Sequence, residues 1–435
     1  MTALHRIVAH DLHSLAELVK PISVRWSQEI HSSAQGTEAS LLCGSLATLK
    51  THKNPVTARL IHNASQCLLN PVCAAVHRLV DAKLRSVRHL VQSSEEAAAR
   101  LASFRVGPST TFCKFDAVDF YLSGEHGLIE SEVVSFLGPG PEASFVGPAL
   151  RVILNSQVVL PTHDEELAST TCFRVVKGSG MGLKHAGAVS DAVFAHRVEA
   201  PLLRDATGLQ GYCRFRDDIF AALESPAAAR IFIERIISLA SCFCEVRLEL
   251  ASVATVTFLD MQILKGPAGT IVHRPHVKET ARHIPLAGDS MHPRGVHSSW
   301  PVSEVARMRR RATELSTGKL WGQYKIDRFR HYLLEESVLE ACRSELNKCF
   351  SLGAAAHGRV TSEVVVPGNF ARLVLPFSPR LQSLPKEIVQ FVKSRNQWLL
   401  DALGIMLKPQ LSWSKAGPSL AQLVSKNRGR RSGRR

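Results

Sequence analysis

The sequence predicts an α+β fold in which an antiparallel sheet is covered by helices on one face. Three observations carry this reading. Thr111–Ala117 is a short apolar run that suits a buried strand. Gly211–Leu223 alternates around a central polar pair, the pattern of two strands meeting at a tight turn. An apolar helical stretch at 226–246 then leads to one further strand at 255–263. The order strand, helix, paired strands, helix, strand is that of helices layered on a sheet.

The flanking elements follow in chain order. Residues 1–40 carry mild helical periodicity. The stretch LLCGSLATLKTHKNPVTARLIHNASQ, residues 41–66, reads as an apolar strand-like start, a basic turn and a second strand around Ala58–His62. Residues 67–104 read as helices, with apolar spacing at Leu68, Val72, Val76 and Val80, then at Ala97 and Leu101 after the acidic start SSEE. Residues 126–170 alternate loops and short apolar runs, with PGP marking a break. Gly178–Gly182 is a glycine-rich turn that opens a helix running to about Arg197. The segment 303–350 is basic and helical. Beyond Pro367 the composition loosens, and the sequence closes on KNRGRRSGRR, a solvated basic run. No internal repeat is present.

A chain of 435 residues buries a sizeable core and divides into about two or three subdomains. Its 53 Lys and Arg against 38 Asp and Glu leave a net charge of +15. An excess of that size points to a polyanionic partner, because each neutralised phosphate releases a counterion. The same excess suits an anionic membrane surface, or a merely soluble basic protein. A hydrophobic content of 45% excludes a disordered chain. The ten cysteines are scattered with no C-x-x-C pair, so no structural zinc site is expected, and they read as reduced core residues of an intracellular protein. MTALHRIVAHDLHSL lacks the apolar run of a secretory peptide. No stretch of about 18 uncharged apolar residues occurs, and no membrane span or membrane partner is expected.

Chemistry concentrates in two acidic sites. In FCKFDAVDFYLS, residues 112–123, an apolar strand delivers Asp116 at its end, with Asp119 and Tyr121 just beyond. In CRFRDDIFAAL, residues 213–223, Asp217 and Asp218 stand side by side between apolar strand residues. A carboxylate leaving a buried strand is costly unless paired or metal-bound, and adjacent like charges repel until a cation relieves them. An isolated Asp-Asp in a turn is more often a solvated surface pair; two apolar-flanked acidic sites on successive strands are harder to assign to that. Hard oxygen donors of this kind suit Mg²⁺. Between the two lies VVKGSGMGLKHAGAVSDAVFAHRVE, residues 175–199. Its glycines at 178, 180 and 182 let a backbone approach a ligand closely, or make a tight helix–strand junction. The spacing is not that of a phosphate-binding P-loop. Lys50, His52, Lys53 and Arg59 put point charges and a forked guanidinium on one hairpin, a set suited to phosphates or to an ordinary solvated surface.

In this order the blocks resemble the motifs of reverse transcriptases, most closely those of Penelope-like retroelements. LKTHKNPVTARLI is similar to the family's fingers signature, with Ala47-Thr48-Leu49 where Leu-Pro is usual. KFDAVDFYLS resembles the first palm motif, an Asp followed five residues later by an aromatic. GSGMGLKHAGAVSDAVFAHRVE is similar to the family's G-T-A-M-G-x-K-x-A helix, through to the Glu that ends it, and RFRDDIF to its RY-x-DDIF hairpin. TFLDMQI, VHRPHVKETARHI and SMHPRGVHSSW resemble blocks beyond the palm. Departures are Val175, where a Gln usually precedes the glycine turn; Arg216, where a small or apolar residue precedes the first Asp; and His273-Arg274-Pro275-His276 in place of Tyr-Arg-Lys-Pro. The chain stops before the nuclease that many members carry, which resembles the nuclease-lacking branch or a truncated copy.

The resemblance implies a right-hand polymerase fold: an N-terminal segment with fingers (1–110), a palm with a finger insertion (111–270), a thumb-like helical region (271–360) and a connector with a basic tail (361–435). It implies RNA-directed DNA synthesis by two Mg²⁺ ions, or Mn²⁺, held by Asp116 and Asp217 with Asp218 in support. Lys50, Lys53 and Arg59 would meet the triphosphate, and Tyr121 would lie under the sugar. Gly178, Gly180, Met181, Gly182, Lys184 and Arg216 would face template and primer, Arg216 reaching the primer terminus or a metal-bound phosphate. The partners implied are an RNA template, a DNA primer and deoxynucleoside triphosphates, with the 303–350 helices and the tail tracking the backbone inside a nucleus. Two other classes compete: an RNA-templated RNA polymerase on the same palm, and a decayed or repurposed nucleic-acid-binding protein.

Overall fold

The structure is a computed structural model and describes residues 2–35, 42–50, 57–64, 67–160, 172–277, 286, 292, 294–330 and 335–348, with four short strand segments between 370 and 414. The chain divides into two compact units, Met1–Arg282 with Arg310–Gly318, and His283–Arg309 with Lys319–Arg435.

The first unit opens on helices α1 (Thr2–Val19) and α2 (Val24–Gln35). The predicted hairpin follows as β1 (Leu42–Lys50) and β2 (Thr57–Asn63), antiparallel with Lys50 opposite Thr57 and Thr48 opposite Arg59. Helices α3 (Asn70–Leu84) and α4 (Ser94–Ser103) fill the span read as helical. Ser93 caps α4 by accepting a hydrogen bond from the Glu96 amide at 3.1 Å, so the SSEE start works as a helix signal. Strand β3 is Thr111–Ala117.

Residues 126–155 differ from the sequence reading, which had loops alternating with short apolar runs there. They form two helices, α5 (His126–Leu137) and α6 (Pro141–Asn155). The PGP break is real but lies between them: Gly138 takes φ +78° and Pro141 starts α6. Pro148 interrupts the apparent periodicity of α6 without ending it, because Phe145, Val146, Ala149, Leu150, Ile153 and Leu154 are all buried. Strands β4 (Val158–Leu160) and β5 (Phe173–Arg174) complete a sheet of order β2-β1-β4-β5, with β1 and β4 parallel.

Helix α7 (Ala186–Phe194) passes into a π-turn at Ala195–Glu199 and then α8 (Ala200–Arg204). The polar-centred hairpin is β6 (Leu209–Phe215) and β7 (Asp218–Leu223). Helix α9 (Pro226–Ala240), capped by Ser225, ends earlier than expected and leads to β8 (Val246–Ser252). The single strand expected at 255–263 is instead a hairpin, β9 (Thr255–Phe258) and β10 (Met261–Lys265), with β11 (Ile271–Pro275) beside β10. Asp260 is the one polar residue at its short turn, a signal too weak for a periodicity reading to show the reversal. Leu259 takes φ +55° there.

The central sheet has the order β6-β7-β3-β8, antiparallel throughout. Successive side chains on its strands face opposite ways. Cys113, Phe115, Ile219 and Ala221 join the main core together with residues of α3, α5, α6, α7 and α9. Phe112, Cys213, Phe220 and Ala222 join a second core with α4 and the β9–β11 sheet. Each fully buried Phe, Ile or Leu contributes about 1.5–3 kcal/mol over an exposed one. Helices therefore cover one face as predicted, and the other face carries a smaller sheet over part of its length.

The glycine-rich turn seats between two elements of the first unit. Gly178, at φ +60°, donates its amide to Gly124 O at 2.8 Å, and Ser179 donates to Tyr121 O at 2.6 Å; a Cβ at 178 would overlap the Leu122 backbone. At Gly182, φ is +118° and a Cβ would overlap the His62 carbonyl, while His62 donates its amide to Met181 O at 2.7 Å. Glycine is needed there because the chain's own backbone comes close, on β2 at one end and on the loop after β3 at the other.

In the second unit, helices α10 (Arg294–Arg310), α11 (Leu315–Arg330) and α12 (Glu336–Asn347) enclose a core of Val305, Ile326, Phe329, Leu339, Cys342 and Leu346. Buried Arg309 donates to Glu345 at 3.0 Å, and buried Lys325 lies 3.9 Å from Glu304. In the first unit, Arg311 pairs with Asp260. Part of the basic charge of 303–350 is thus neutralised inside the protein. Short parallel pairs join Phe370–Ala371 to Met406–Leu407 and Val374–Pro376 to Ser412–Ser414.

Gly182→Ala is expected to lower stability by about 1–3 kcal/mol, the cost of a left-handed alanine with a carbonyl in its way. Gly127→Ala, where a Cβ meets nothing within 4 Å, should be neutral or slightly stabilising. Urea denaturation of the two variants beside the wild type checks both.

Candidate active site

Strand register brings the acidic residues together. Asp116 on β3 lies directly opposite Asp218 on β7, and Asp217 forms the turn just before it. All three are half-buried. The face they share holds a second set of charges that the sequence reading missed. Lys114, two residues before Asp116, places Nζ 2.5 Å from Glu249 Oε2 and 3.5 Å from Asp218 Oδ1. Glu249 is the residue that a register shift between β3 and β8 leaves unpaired, and such bulges re-aim side chains beside functional sites. Arg247 stands opposite Asp116 on β8. Burial raises the Asp218 carboxyl above the usual aspartate range; Lys114 opposes this, while Asp217, Glu249 and Asp116 add to it.

Among the described residues no three Asp, Glu, His or Cys side chains form a finished ion cage. The donor set nonetheless fits Mg²⁺, which is held by one or two carboxylates with waters and substrate phosphates rather than by an all-protein cage. Asp116 on β3 and the adjacent pair Asp217 and Asp218 across from it supply such carboxylates. A cation there would also relieve the crowding that burial and the neighbouring carboxylates impose on Asp218.

The turn carrying Asp217 is tied from three sides. Arg216 takes φ +56°, a conformation that long side chains seldom adopt. The Ala117 amide donates to Asp217 O at 3.0 Å. Arg214 Nη1 donates to Arg216 O at 2.9 Å. The Arg216 guanidinium pairs with Asp191 on α7. The sequence reading sends Arg216 to the primer terminus; here its guanidinium is engaged by a carboxylate of the protein.

Arg214 lies on the opposite face of the sheet from Asp218 and is fully buried. Nη1 donates to Asp191 Oδ1 at 2.7 Å, Nε to Glu199 Oε1 at 2.7 Å and Nη2 to Glu199 Oε2 at 2.9 Å. Tyr212 donates to Glu199 at 2.8 Å, and His89 Nε2 lies 3.0 Å from it. The Phe194 and Phe120 rings flank the guanidinium at 4.8 and 5.6 Å. Burial works to raise the Glu199 carboxyl, but Arg214 and His89 outweigh it and hold the group ionised. The available signal was chemical: Asp191, Glu199 and Arg214 are charges inside apolar stretches, and such charges need partners.

The other predicted residues fall as follows. Lys50 and Arg59 lie on the paired strands β1 and β2, and Lys53 lies outside the described residues, as does the tail at 426–435. Tyr121 is half-buried against the main core, its ring 5.6 Å from that of Phe120. Lys184 is exposed and Met181 half-buried. The Gly180 amide donates to Gln157 Oε1 at 2.8 Å, and Val175 donates to Gln157 O at 3.1 Å. Beneath the glycine turn, Ser179 Oγ lies 2.9 Å from Nε2 of buried His185.

No protein-family model matches the chain, and no curated protein does. Solved structures that are similar include a telomerase from Candida albicans complexed with a TWJ fragment of telomeric RNA. Its TM-score is 0.48 at 10% identity, covering 72% of this chain and 59% of that one. An insertion-loop deletion mutant of the RNA-dependent RNA polymerase of a human picobirnavirus has a TM-score of 0.47 at 12% identity, with 70% and 64% covered. The BmCPV RNA-dependent RNA polymerase at its elongation state has 0.45 at 9%, with 65% and 26% covered. The chain spans less than two-thirds of the length of each of these.

Burial, and then the neighbouring His77, lower His185 to about 3. The folded state therefore binds fewer protons than the unfolded one between about pH 6.5 and 3, so stability falls as pH drops through that window. The slope from this group approaches about 1.4 kcal/mol per pH unit. Urea midpoints measured stepwise from pH 7 to 4 should show it, and His185→Gln should remove about one proton's worth of slope.

Proposed function

We propose that this chain is a metal-dependent, template-directed nucleotidyl transferase of the reverse-transcriptase type, extending a DNA 3′ end on an RNA template. The observation that carries the reading is the register of Asp116 opposite Asp218, with Asp217 at the tied turn between β6 and β7. The ordered motifs support the finer assignment to Penelope-like retroelements, and the net charge of +15 supports a nucleic-acid partner.

In this reading Asp116 and Asp217 hold Mg²⁺, with Asp218 in support. Bound there, the metal supplies Lewis-acid stabilisation of the attacking 3′-oxygen and of the leaving pyrophosphate. Lys114 and Arg247 put positive charge beside the carboxylates of this face. Lys50, Lys53 and Arg59 meet the triphosphate, and Tyr121 limits room at the 2′ position of the sugar. The glycine turn and Lys184 lie along the template–primer path, and the basic tail serves nuclear retention.

The test is primer extension by the purified chain on an RNA template, with deoxy- or ribonucleotides and with or without Mg²⁺. Deoxynucleotide extension that requires Mg²⁺ supports the reading. Preference for ribonucleotides indicates RNA synthesis on the same sheet, and template binding without extension indicates a binding protein. Asp217→Asn keeps the shape but removes a charge from the metal site. It should lower extension roughly 10³-fold, as a loss of several kcal/mol dictates, and leave template affinity within about twofold.

Tyr121→Ala should raise ribonucleotide incorporation relative to deoxynucleotide by about ten- to two-hundredfold, a steric difference of about 1–3 kcal/mol. Single-nucleotide incorporation kinetics give that ratio directly. An unchanged ratio would place the ring away from the sugar.

A further inference from the structure

Asp191 and Glu199 stand eight positions apart on one helical stretch, yet both grip the same guanidinium. In an unbroken α-helix, residues at that spacing point about 80° apart around the axis. The π-turn at Ala195–Glu199 widens the spiral just before Glu199 and takes back roughly that angle. The helix is thus locally remade so that two carboxylates converge on Arg214. Arg214 in turn sits on the sheet face away from Asp218, where it can touch neither substrate nor metal. Its Nη1 reaches the Arg216 carbonyl, the peptide oxygen immediately before Asp217.

We infer that Arg214 is a positioning residue: clamped by Glu199 and Asp191, it sets the backbone of the positive-φ turn, and through it the place of Asp217 and Asp218. The inference rests on the metal-dependent reaction proposed above. The clamp follows from the geometry. The turn residue with φ +56° carries a long side chain, so the conformation holds only where the surroundings over-determine it. Those surroundings are the hydrogen bond from Arg214, the ion pair from Arg216 to Asp191, and the Ala117 amide on Asp217 O. Asp191 serves both arginines, one oxygen for each, so the turn and the buried cation are held by one carboxylate. Residues that orient metal ligands from behind typically alter metal affinity or activity by about 10- to 100-fold when changed.

The test uses the full chain and two conservative variants. Arg214→Lys keeps the charge but loses the fork that reaches Asp191, Glu199 and the Arg216 carbonyl together. Glu199→Gln keeps shape and removes one charge of the clamp. Mn²⁺ affinity is read by electron paramagnetic resonance without nucleotides, alongside primer–template affinity and the Mg²⁺ dependence of extension. The expected result for Arg214→Lys is a Mn²⁺ Kd weakened by about tenfold or more, a matching rise in the Mg²⁺ half-saturation, and a fall in kcat with little change in nucleotide KM. Primer–template affinity should stay within about twofold. Glu199→Gln should shift the same quantities in the same direction, and less.

If both variants fold and Mn²⁺ affinity is unchanged while the wild type extends primers, the positioning role is overturned and the polymerase reading stands. If Arg214→Lys does not fold, Glu199→Gln decides by the same measure. If neither folds, the clamp belongs to the fold rather than to the site, which also overturns the inference. A wild type that neither binds Mn²⁺ nor extends primers fails at the earlier reading, and the inference falls with it.

Discussion

Arg214 carries its charge in the core with no exposure to water, and much of the first unit is arranged around that fact. A buried guanidinium is tolerated only when its donors are met, since an uncompensated buried charge costs several kcal/mol. Glu199 takes two of its nitrogens and Asp191 a third, while the Phe120 and Phe194 rings line its faces. Supplying those partners constrains the helix that carries them, down to the π-turn between them. It also constrains β6 and the turn that follows. One ionic contact thereby links a helix in the main core to a hairpin at the end of the central sheet.

On the opposite face of that sheet the problem has the reverse sign. Asp116, Asp217 and Asp218 crowd negative charge at the ends of strands whose other residues are buried. Lys114 lies beside Asp218 with Glu249 as its second acceptor, and Arg247 faces Asp116 across β8. Antiparallel pairing makes both arrangements possible, because alternate residues of one short strand serve two environments. Phe115 fills the helical core while Asp116 and Lys114 carry charge. A slip of one residue in β3 or β7 would turn Asp116 or Asp218 into the helical core, where Phe115 and Ile219 now pack.

At the glycine turn, the close approach that three glycines imply is made at two positions by the chain's own backbone. Three glycines in five residues mean that something comes close to the backbone. At Gly178 and Gly182 that something is the chain itself: Leu122 at one end and His62 at the other. The turn consequently joins β2 to the loop after β3, and Gln157 and His185 brace it from beneath through Gly180 and Ser179.

Local pattern determined a great deal. β3, the β6–β7 hairpin, the β1–β2 hairpin and helices α3 and α4 follow from alternation, apolar spacing and caps within a few residues of one another. The pairing of an acid at the end of one strand with an acid pair in a following hairpin was visible for the same reason. Where local pattern misled, a local signal stood for something else. The short apolar runs between 126 and 155 belong to two helices, and the apolar run at 255–263 doubles back at Leu259. What only the tertiary structure decided is which charges meet. Arg214 with Glu199, Arg216 with Asp191 and Lys114 with Glu249 are separated by 15, 25 and 135 positions. Sequence shows that a charge in an apolar stretch needs a partner; electrostatic attraction carries no address along the chain, so the packing of the sheet against its helices chose the partner.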